Sequence, residues 1–182
     1  MIIQRRMCKV FGNFVLQKLL EIGSVEVKRV FAEQLVGDVL RLSLHAYGCR
    51  VIQKVLEEVS TDQQVLLVNE MKNNVIKLIE DQHGNHVVQK CIERLPPEKV
   101  AFIVDELRTN VDKMAMHCYG CRVVQRVLEH CLPAQTKGIL EELVQNLLSL
   151  FRDQSRSASS SFEEKRDFLG LFAAKIERIS AF

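Results

Sequence analysis

The 182-residue sequence has no tryptophan, only three prolines and no long apolar run. No stretch reaches the roughly 18 consecutive apolar residues of a membrane-spanning helix. The first letters, MIIQRRMCKV, lack the apolar stretch and cleavage site of a signal peptide. No glycine-rich phosphate loop occurs, and neither Asp62 nor Asp81 is spaced to pair with a histidine or serine nucleophile. The sequence therefore predicts a protein that does not cross a membrane and is not an enzyme.

The overall composition is that of a soluble globular protein. Hydrophobic residues make up 47% of the chain and charged residues 26%, with a mean hydropathy of +0.01. The length suits one domain with its own core. The six cysteines are expected to be free thiols of an intracellular chain. The net charge of +2 excludes no partner, but a nucleic-acid binder would have to gather its 25 lysines and arginines on one face.

One motif recurs four times at a constant interval. Its copies read FGNFVLQKLLE, YGCRVIQKVLE, HGNHVVQKCIE and YGCRVVQRVLE, and their glycines fall at positions 12, 48, 84 and 120, an interval of 36. A glutamine, a basic residue and a glutamate keep the same interval: Gln17, Gln53, Gln89 and Gln125; Lys18, Lys54, Lys90 and Arg126; Glu21, Glu57, Glu93 and Glu129. A fixed period of this length indicates a repeat protein.

Each copy is expected to be helical. Apolar residues in the motif follow a 3.6-residue period, which predicts motif helices near 12–22, 48–58, 84–94 and 120–131. The three prolines follow motif helices, where the chain must turn. Each repeat is then two or three helices with a tight turn at the glycine, and the glycines are expected to serve that turn rather than a ligand. Because one repeat cannot bury its apolar stripe alone, the repeats must stack into an all-α solenoid.

The polar positions that follow each glycine are the candidate site. A short polar side chain comes first, a planar side chain second, and the glutamine four residues after the first, so that all three share a helix face. The short side chain is expected to face solvent. The planar residues are Phe14, Arg50, His86 and Arg122, which have little in common except a flat surface. Flat side chains in a one-dimensional array are typical of proteins that stack unpaired bases.

These motifs, YGCRVIQKVLE and HGNHVVQKCIE above all, resemble those of the Pumilio (PUF) family of single-stranded RNA-binding proteins, over about residues 8–154. The resemblance implies a right-handed superhelical solenoid of 36-residue repeats, here a truncated form with about four of them. It also implies a monomeric cytoplasmic protein that binds the 3′ untranslated regions of messenger RNA and regulates translation. No cofactor or metal is implied, and the convex face is a candidate surface for regulatory proteins.

The resemblance also assigns a role to each polar position, with one base read per repeat. The planar residue would stack, and its two neighbours would contact the base edge. Asparagine with glutamine implies uracil, and cysteine with glutamine implies adenine. Since RNA runs antiparallel to the protein in this family, the implied site is 5′-AUAU-3′. The base-edge residues are Asn13 and Gln17 for U, Cys49 and Gln53 for A, Asn85 and Gln89 for U, and Cys121 and Gln125 for A.

Several of these residues have more ordinary interpretations. The repeated glutamates suit a solvated or inter-repeat salt-bridge role. The repeated Lys18, Lys54, Lys90 and Arg126 are candidate phosphate contacts, although their place beside the glutamine also fits a position off the binding face. Cys8, Cys91 and Cys131 suit the core or a helix face. A zinc site around Cys118 and Cys121 is disfavoured because Ala46 and Gln82 replace Cys118 in the other repeats.

The repeat pattern stops after Gln154. We expect four repeats in residues 1–154 and a divergent tail in 155–182, with a serine-rich linker and an amphipathic helix that covers the last open face of the array. Such a break is typical of a truncated or alternatively spliced product. Two alternatives to selective RNA binding remain: a helical-repeat scaffold for protein partners, and a weakly active fragment.

Overall fold

The computed structural model describes residues 10–153, with side chains described for 12–145. Throughout that part of the chain the regular elements are helices, which confirms the predicted all-α fold. Of the described residues, 10–139 belong to one compact unit and 140–153 to a second. The linker and amphipathic helix predicted within 155–182 lie outside the described residues.

The helices are of two kinds: motif helices, which carry the repeated motif, and connecting helices, which do not. The motif helices are α1 (Val10–Ile22), α4 (Gly48–Glu58), α7 (Gly84–Arg94) and α10 (Gly120–His130). The connecting helices are α2 (Val25–Glu33), α3 (Val39–Ser43), α5 (Thr61–Val68), α6 (Val75–Glu80), α8 (Ala101–Arg108), α9 (Val111–Ala115) and α11 (Pro133–Asp153), with a 3₁₀ turn at Asn69–Met71. Two connecting helices, one of them short, separate successive motif helices.

The motif helices pack side by side in chain order, α1 on α4, α4 on α7 and α7 on α10. Their apolar stripes form the core of this layer. In α4 the stripe is Val51, Ile52, Val55 and Leu56, and all four side chains are fully buried. Burying a side chain of this size stabilises the fold by about 1.5–3 kcal/mol. Inter-repeat packing is therefore what holds each motif helix in place.

The motif glycines permit close packing and are not turn residues, so the expected turn role is wrong for them. Among the glycines of the described residues, only Gly37 has a positive φ. Gly84 begins α7, where an added Cβ would lie 2.6 Å from the carbonyl oxygen of Leu78 and 3.0 Å from its Cα. Gly48 meets Leu42 in the same way, at 2.6 Å. A side chain at this position would push the motif helix away from the short helix before it.

A glutamate that follows a motif helix caps the short helix that precedes the same motif helix. The Glu106 carboxylate accepts hydrogen bonds from the backbone N–H groups of Asn73 (2.8 Å) and Val75 (3.2 Å) at the start of α6. Asn73 adopts the left-handed region, with a φ of 64°. The same arrangement occurs 36 residues earlier, where Glu70 accepts from Gly37 and Val39. These caps join the connecting segments on either side of a motif helix through hydrogen bonds.

Candidate nucleic-acid interface

A side-chain cap fixes the start of three motif helices. The Asp81 carboxylate oxygen Oδ1 accepts hydrogen bonds from the N–H groups of His83 and Gly84, both at 2.8 Å. At the same position of the other repeats, the Nδ1 atoms of His45 and His117 accept the equivalent bonds, at 3.2–3.3 Å. The first turn of the motif helix, which carries the candidate site residues, is thereby held in position.

The asparagine side chains lie beneath the surface, so the expected solvent exposure of the short polar residue is wrong for them. Asn85 is fully buried and Asn13 is 3% exposed. The Asn85 Nδ2 group donates to the Asp81 carbonyl oxygen (2.8 Å), and its Oδ1 accepts from Gln89 Nε2 (3.0 Å). Gln17 Nε2 likewise donates to Asn13 Oδ1, at 2.9 Å. The buried amide is satisfied locally, and it orients the half-buried glutamine above it.

In the cysteine repeat of α4 the glutamine is held by a backbone atom. Cys49 is 1% exposed, and its thiol donates to the Ala46 carbonyl oxygen at 3.3 Å. Gln53 Nε2 donates to the backbone carbonyl oxygen of Cys49 (3.1 Å) and not to its side chain. Burial raises the pKa of the Cys49 thiol, and the same cause raises the pKa of the half-buried Cys121 thiol. Both sulfurs therefore stay protonated and neutral at pH 7.

The planar side chains are the accessible part of the site. Phe14 is 66% exposed, Arg50 and Arg122 are exposed, and His86 is half-buried. Burial and the positive charges of Arg50 and Arg122 lower the pKa of His86. At pH 7 His86 is therefore a neutral flat ring between two guanidinium groups. Within residues 12–145 neither of these arginines has an ion-pair partner.

A row of ion pairs, which we call the ion-pair ladder, crosses the motif helices. It comprises Lys54, Lys90, Arg126, Glu57, Glu58, Glu93 and Glu129. Lys90 Nζ lies 2.9 Å from a Glu57 oxygen of the preceding repeat and 3.3 Å from Glu93 of its own. Arg126 Nε lies 3.0 Å from Glu93 of the preceding repeat. The inter-repeat salt-bridge role predicted for the repeated glutamates is confirmed for Glu57 and Glu93.

Of the three cysteines expected in the core or on a helix face, Cys8 lies outside the described residues. Cys91 is fully buried, which confirms its predicted core position, and burial raises the pKa of its thiol to about 12. Cys131 is half-buried, with the pKa of its thiol raised to about 11. In the described residues, no three His, Cys, Asp or Glu side chains are grouped as metal ligands. Likewise, no helix in this part of the chain is long and apolar enough to cross a membrane.

A search for one fixed motif does not find some residues that shape the site. The capping residues His45, Asp81 and His117 are spaced by 36 residues, but two different residue types fill that position. The capping glutamates Glu70 and Glu106 are also 36 residues apart. An acceptor at a constant repeat position is the signal that would have found both groups.

The sequence matches a known repeat family, and the fold matches solved members of it. The Pumilio-family RNA binding repeat matches residues 7–35, 38–72, 74–108 and 110–144. Pumilio homolog 1 of Xenopus laevis is 54% identical over 43 residues, which is 24% of this chain and 4% of that protein.

Two solved structures show the same architecture. The Puf3 RNA binding domain bound to a Cox17 RNA 3′ UTR recognition sequence shares 43% identity over 78% of this chain and 40% of that one, with a TM-score of 0.76. PUF-8 in complex with PBE-RNA shares 36% identity over 80% of this chain and 43% of that one, with a TM-score of 0.77. This confirms the predicted repeat solenoid, although the chain spans only about two fifths of the length of either structure. With four repeats matched over most of its length, the chain belongs to the Pumilio family.

Proposed function

We propose that this chain binds single-stranded RNA sequence-selectively and reads one base with each motif helix. The observation that carries the proposal is the repeated trio on α1, α4, α7 and α10: a short side chain, an accessible planar side chain and a glutamine. On α1, α4 and α7 the glutamine amide is held by the residue four positions before it. Relatives of this chain are seen bound to RNA, as in the Puf3 and PUF-8 structures. A scaffold for protein partners has no need of such a trio.

Stacking of bases on the planar side chains supplies affinity that does not depend on the RNA sequence. A base stacked on an aromatic or guanidinium plane contributes about 1–3 kcal/mol, as measured by alanine substitution. Phe14, Arg50, His86 and Arg122 offer four such planes at one repeat position. The neutral state of His86 suits this role, because a neutral ring needs no counter-charge when a base covers it.

Edge contacts supply selectivity, and the two kinds of repeat present them differently. In the asparagine repeats the glutamine Nε2 is engaged by the asparagine side chain, which leaves the glutamine Oε1 as an acceptor for the imide N–H of uracil. In the Cys49 repeat Gln53 is held by the backbone instead. The smaller cysteine leaves room for a purine. We therefore assign U to Asn13–Gln17 and Asn85–Gln89, and A to Cys49–Gln53 and Cys121–Gln125.

Read antiparallel, these assignments give 5′-AUAU-3′ as the preferred site. The Puf3 structures contain 3′ UTR recognition sequences of Cox17 RNA. By that likeness we propose messenger RNA 3′ untranslated regions as the natural target and post-transcriptional regulation in the cytoplasm as the outcome.

The test is fluorescence anisotropy with labelled UGUAUAUA and with a matched RNA in which AUAU is replaced by CCCC. We expect tighter binding to the first RNA. His86→Ala should weaken that binding by about 1–3 kcal/mol, the range for loss of one stacked base. His130→Ala is the matched control, since His130 is exposed at the far end of α10. Equal binding to both RNAs would mean that the protein binds RNA through a basic surface without reading bases. If the folded chain binds neither RNA, a scaffold for protein partners is favoured instead.

A further inference from the structure

Two groups of cations on the motif helices differ in their partners. Arg50 and Arg122, in the stacking row, have no ion-pair partner among residues 12–145. Each cation of the ion-pair ladder instead contacts two carboxylates: Lys54 with Glu57 and Glu58, Lys90 with Glu57 and Glu93, and Arg126 with Glu93 and Glu129. On α4, α7 and α10 the repeated basic residue is thus charged but already paired, whereas Lys18 on α1 pairs with Glu21 alone and is 66% exposed.

The ladder lies on the same helix face as the stacking and edge residues. Lys90 is four residues after His86, and Glu93 is four residues after Gln89. Side chains four apart on a helix have Cβ atoms about 5–6 Å from each other. A strand whose bases stack on His86 and its neighbours would therefore run within about 10 Å of the ladder, the screening length at 0.1 M salt. At that distance, free ladder cations would attract phosphates of any sequence.

The pairing removes that attraction. Three cations face four carboxylates in the ladder, and one of these carboxylates, Glu58, also pairs with Lys28 of α2, so the whole group has no net positive charge. The pairs of Lys90 are also sheltered: the side chains of Lys90, Glu57 and Glu93 are 21%, 27% and 28% exposed, which protects them from screening better than a fully exposed pair. Arg126 is more accessible, at 40% exposed. The hydrogen bond that Lys90 donates to Glu57 raises the pKa of Lys90, so the pair stays ionised at neutral pH.

We propose that Glu57 and Glu93 are specificity-determining residues, which hold Lys90 and Arg126 away from RNA phosphates and thereby suppress sequence-independent binding. Stacking and base-edge contacts then carry most of the affinity. The inference rests on the proposed RNA-binding function and assigns the ladder a role within it. The two glutamates contribute by occupying the cations, without touching the base.

The test is the Glu57→Gln/Glu93→Gln variant, which keeps side-chain size and removes both carboxylate partners of Lys90, while Arg126 keeps Glu129. Binding of the AUAU RNA and of the CCCC RNA is measured by anisotropy over a salt series. Each new phosphate contact on a single strand steepens the slope of log affinity against log salt by about 0.7. We expect a slope steeper by about 0.7, affinity for the CCCC RNA increased about fivefold at 0.1 M salt, and a smaller ratio between the two RNAs.

Glu26→Gln/Glu33→Gln is the matched control. It makes the same change in net charge and removes both carboxylate partners of Arg29, which lies on α2 and not on a motif helix. We expect this variant to keep the wild-type slope. If both double variants change the slope equally, net charge explains the effect and the role of the ladder is refuted.

A second variant covers the case in which the first fails to fold. Lys90→Gln/Arg126→Gln should leave the salt slope of the chain unchanged, because these cations do not contact phosphate. A slope shallower by about 0.7 for each lost cation would overturn the inference. The two claims can be refuted separately. If the wild-type chain binds RNA without preferring AUAU, base reading is refuted. If the chain prefers AUAU but the salt slope of Glu57→Gln/Glu93→Gln equals that of the wild type, only the proposed role of the ladder is refuted.

Discussion

At the scale of single residues, the site depends on side chains held by very local contacts. Gln89 is oriented by Asn85, and Asn85 is in turn fixed by the Asp81 carbonyl oxygen. The repeat pattern predicted which residues form the trio. It could not predict that Asn85 is buried, because that depends on how closely the start of α7 approaches the short helix before it.

The titration of His86 gives a prediction about stability. Its pKa is below the ordinary value of 6.5 in the folded chain, through burial and then the nearby arginines. The unfolded chain therefore binds the proton more readily, and the free energy of unfolding falls as the pH drops below about 6.5. His86→Gln should remove that part of the pH dependence. Urea denaturation at pH 7.5 and 5.5 measures it, and parallel profiles for both proteins would contradict the account.

At the scale of elements, the helix starts are positioned by close backbone contacts. The motif glycines stand out in the sequence, and their position at a helix start could be predicted. Their function could not, because a turn glycine and a packing glycine look alike until the neighbouring helix is placed. The distance of 2.6 Å from a Cβ added at Gly84 to the Leu78 carbonyl oxygen identifies Gly84 as a packing glycine.

Gly84→Ala should destabilise the fold by about 1–3 kcal/mol, the usual cost of overpacking. The new methyl would lie 2.6 Å from a backbone oxygen, so α7 would have to move relative to α6. The control is Gly138→Ala in α11, where the nearest atom is the flexible Arg108 Cδ at 3.3 Å. There we expect a neutral effect or a gain of up to about 1 kcal/mol, since alanine favours the helix. Equal urea midpoints for the two variants would argue against the packing role.

At the scale of the whole molecule, each repeat is completed by its neighbour. The constant interval of 36 residues was enough to predict stacked helical repeats and the positions of the motif helices. It was not enough to find the contacts between segments that are far apart in the sequence. The Glu106 cap and the ion-pair ladder bring together residues that are about 33 positions apart, and only the packed array shows which of them meet.

Removing the Glu106 cap should destabilise the fold. Glu106→Ala leaves two N–H groups at the start of α6 without their acceptor. We expect the free energy of unfolding to fall by about 1–2 kcal/mol, typical of a lost helix cap. Glu98→Ala is the control, because Glu98 is exposed and makes the same charge change; its effect should stay within about 0.5 kcal/mol. A matching loss in both variants would show that charge, and not capping, is responsible.

The central claim, that each motif helix reads one base through its short side chain and glutamine, is tested most directly by changing one such pair. Asn85→Cys gives α7 the pair found in α4 and α10, where the fold already accepts cysteine. Anisotropy compares RNAs that carry AUAU or AAAU, which differ only at the base assigned to this repeat.

We expect the wild-type chain to prefer AUAU and Asn85→Cys to prefer AAAU, each by about 1–3 kcal/mol, the discrimination of one well-placed base contact. An unchanged order of affinities in the folded variant would contradict the account.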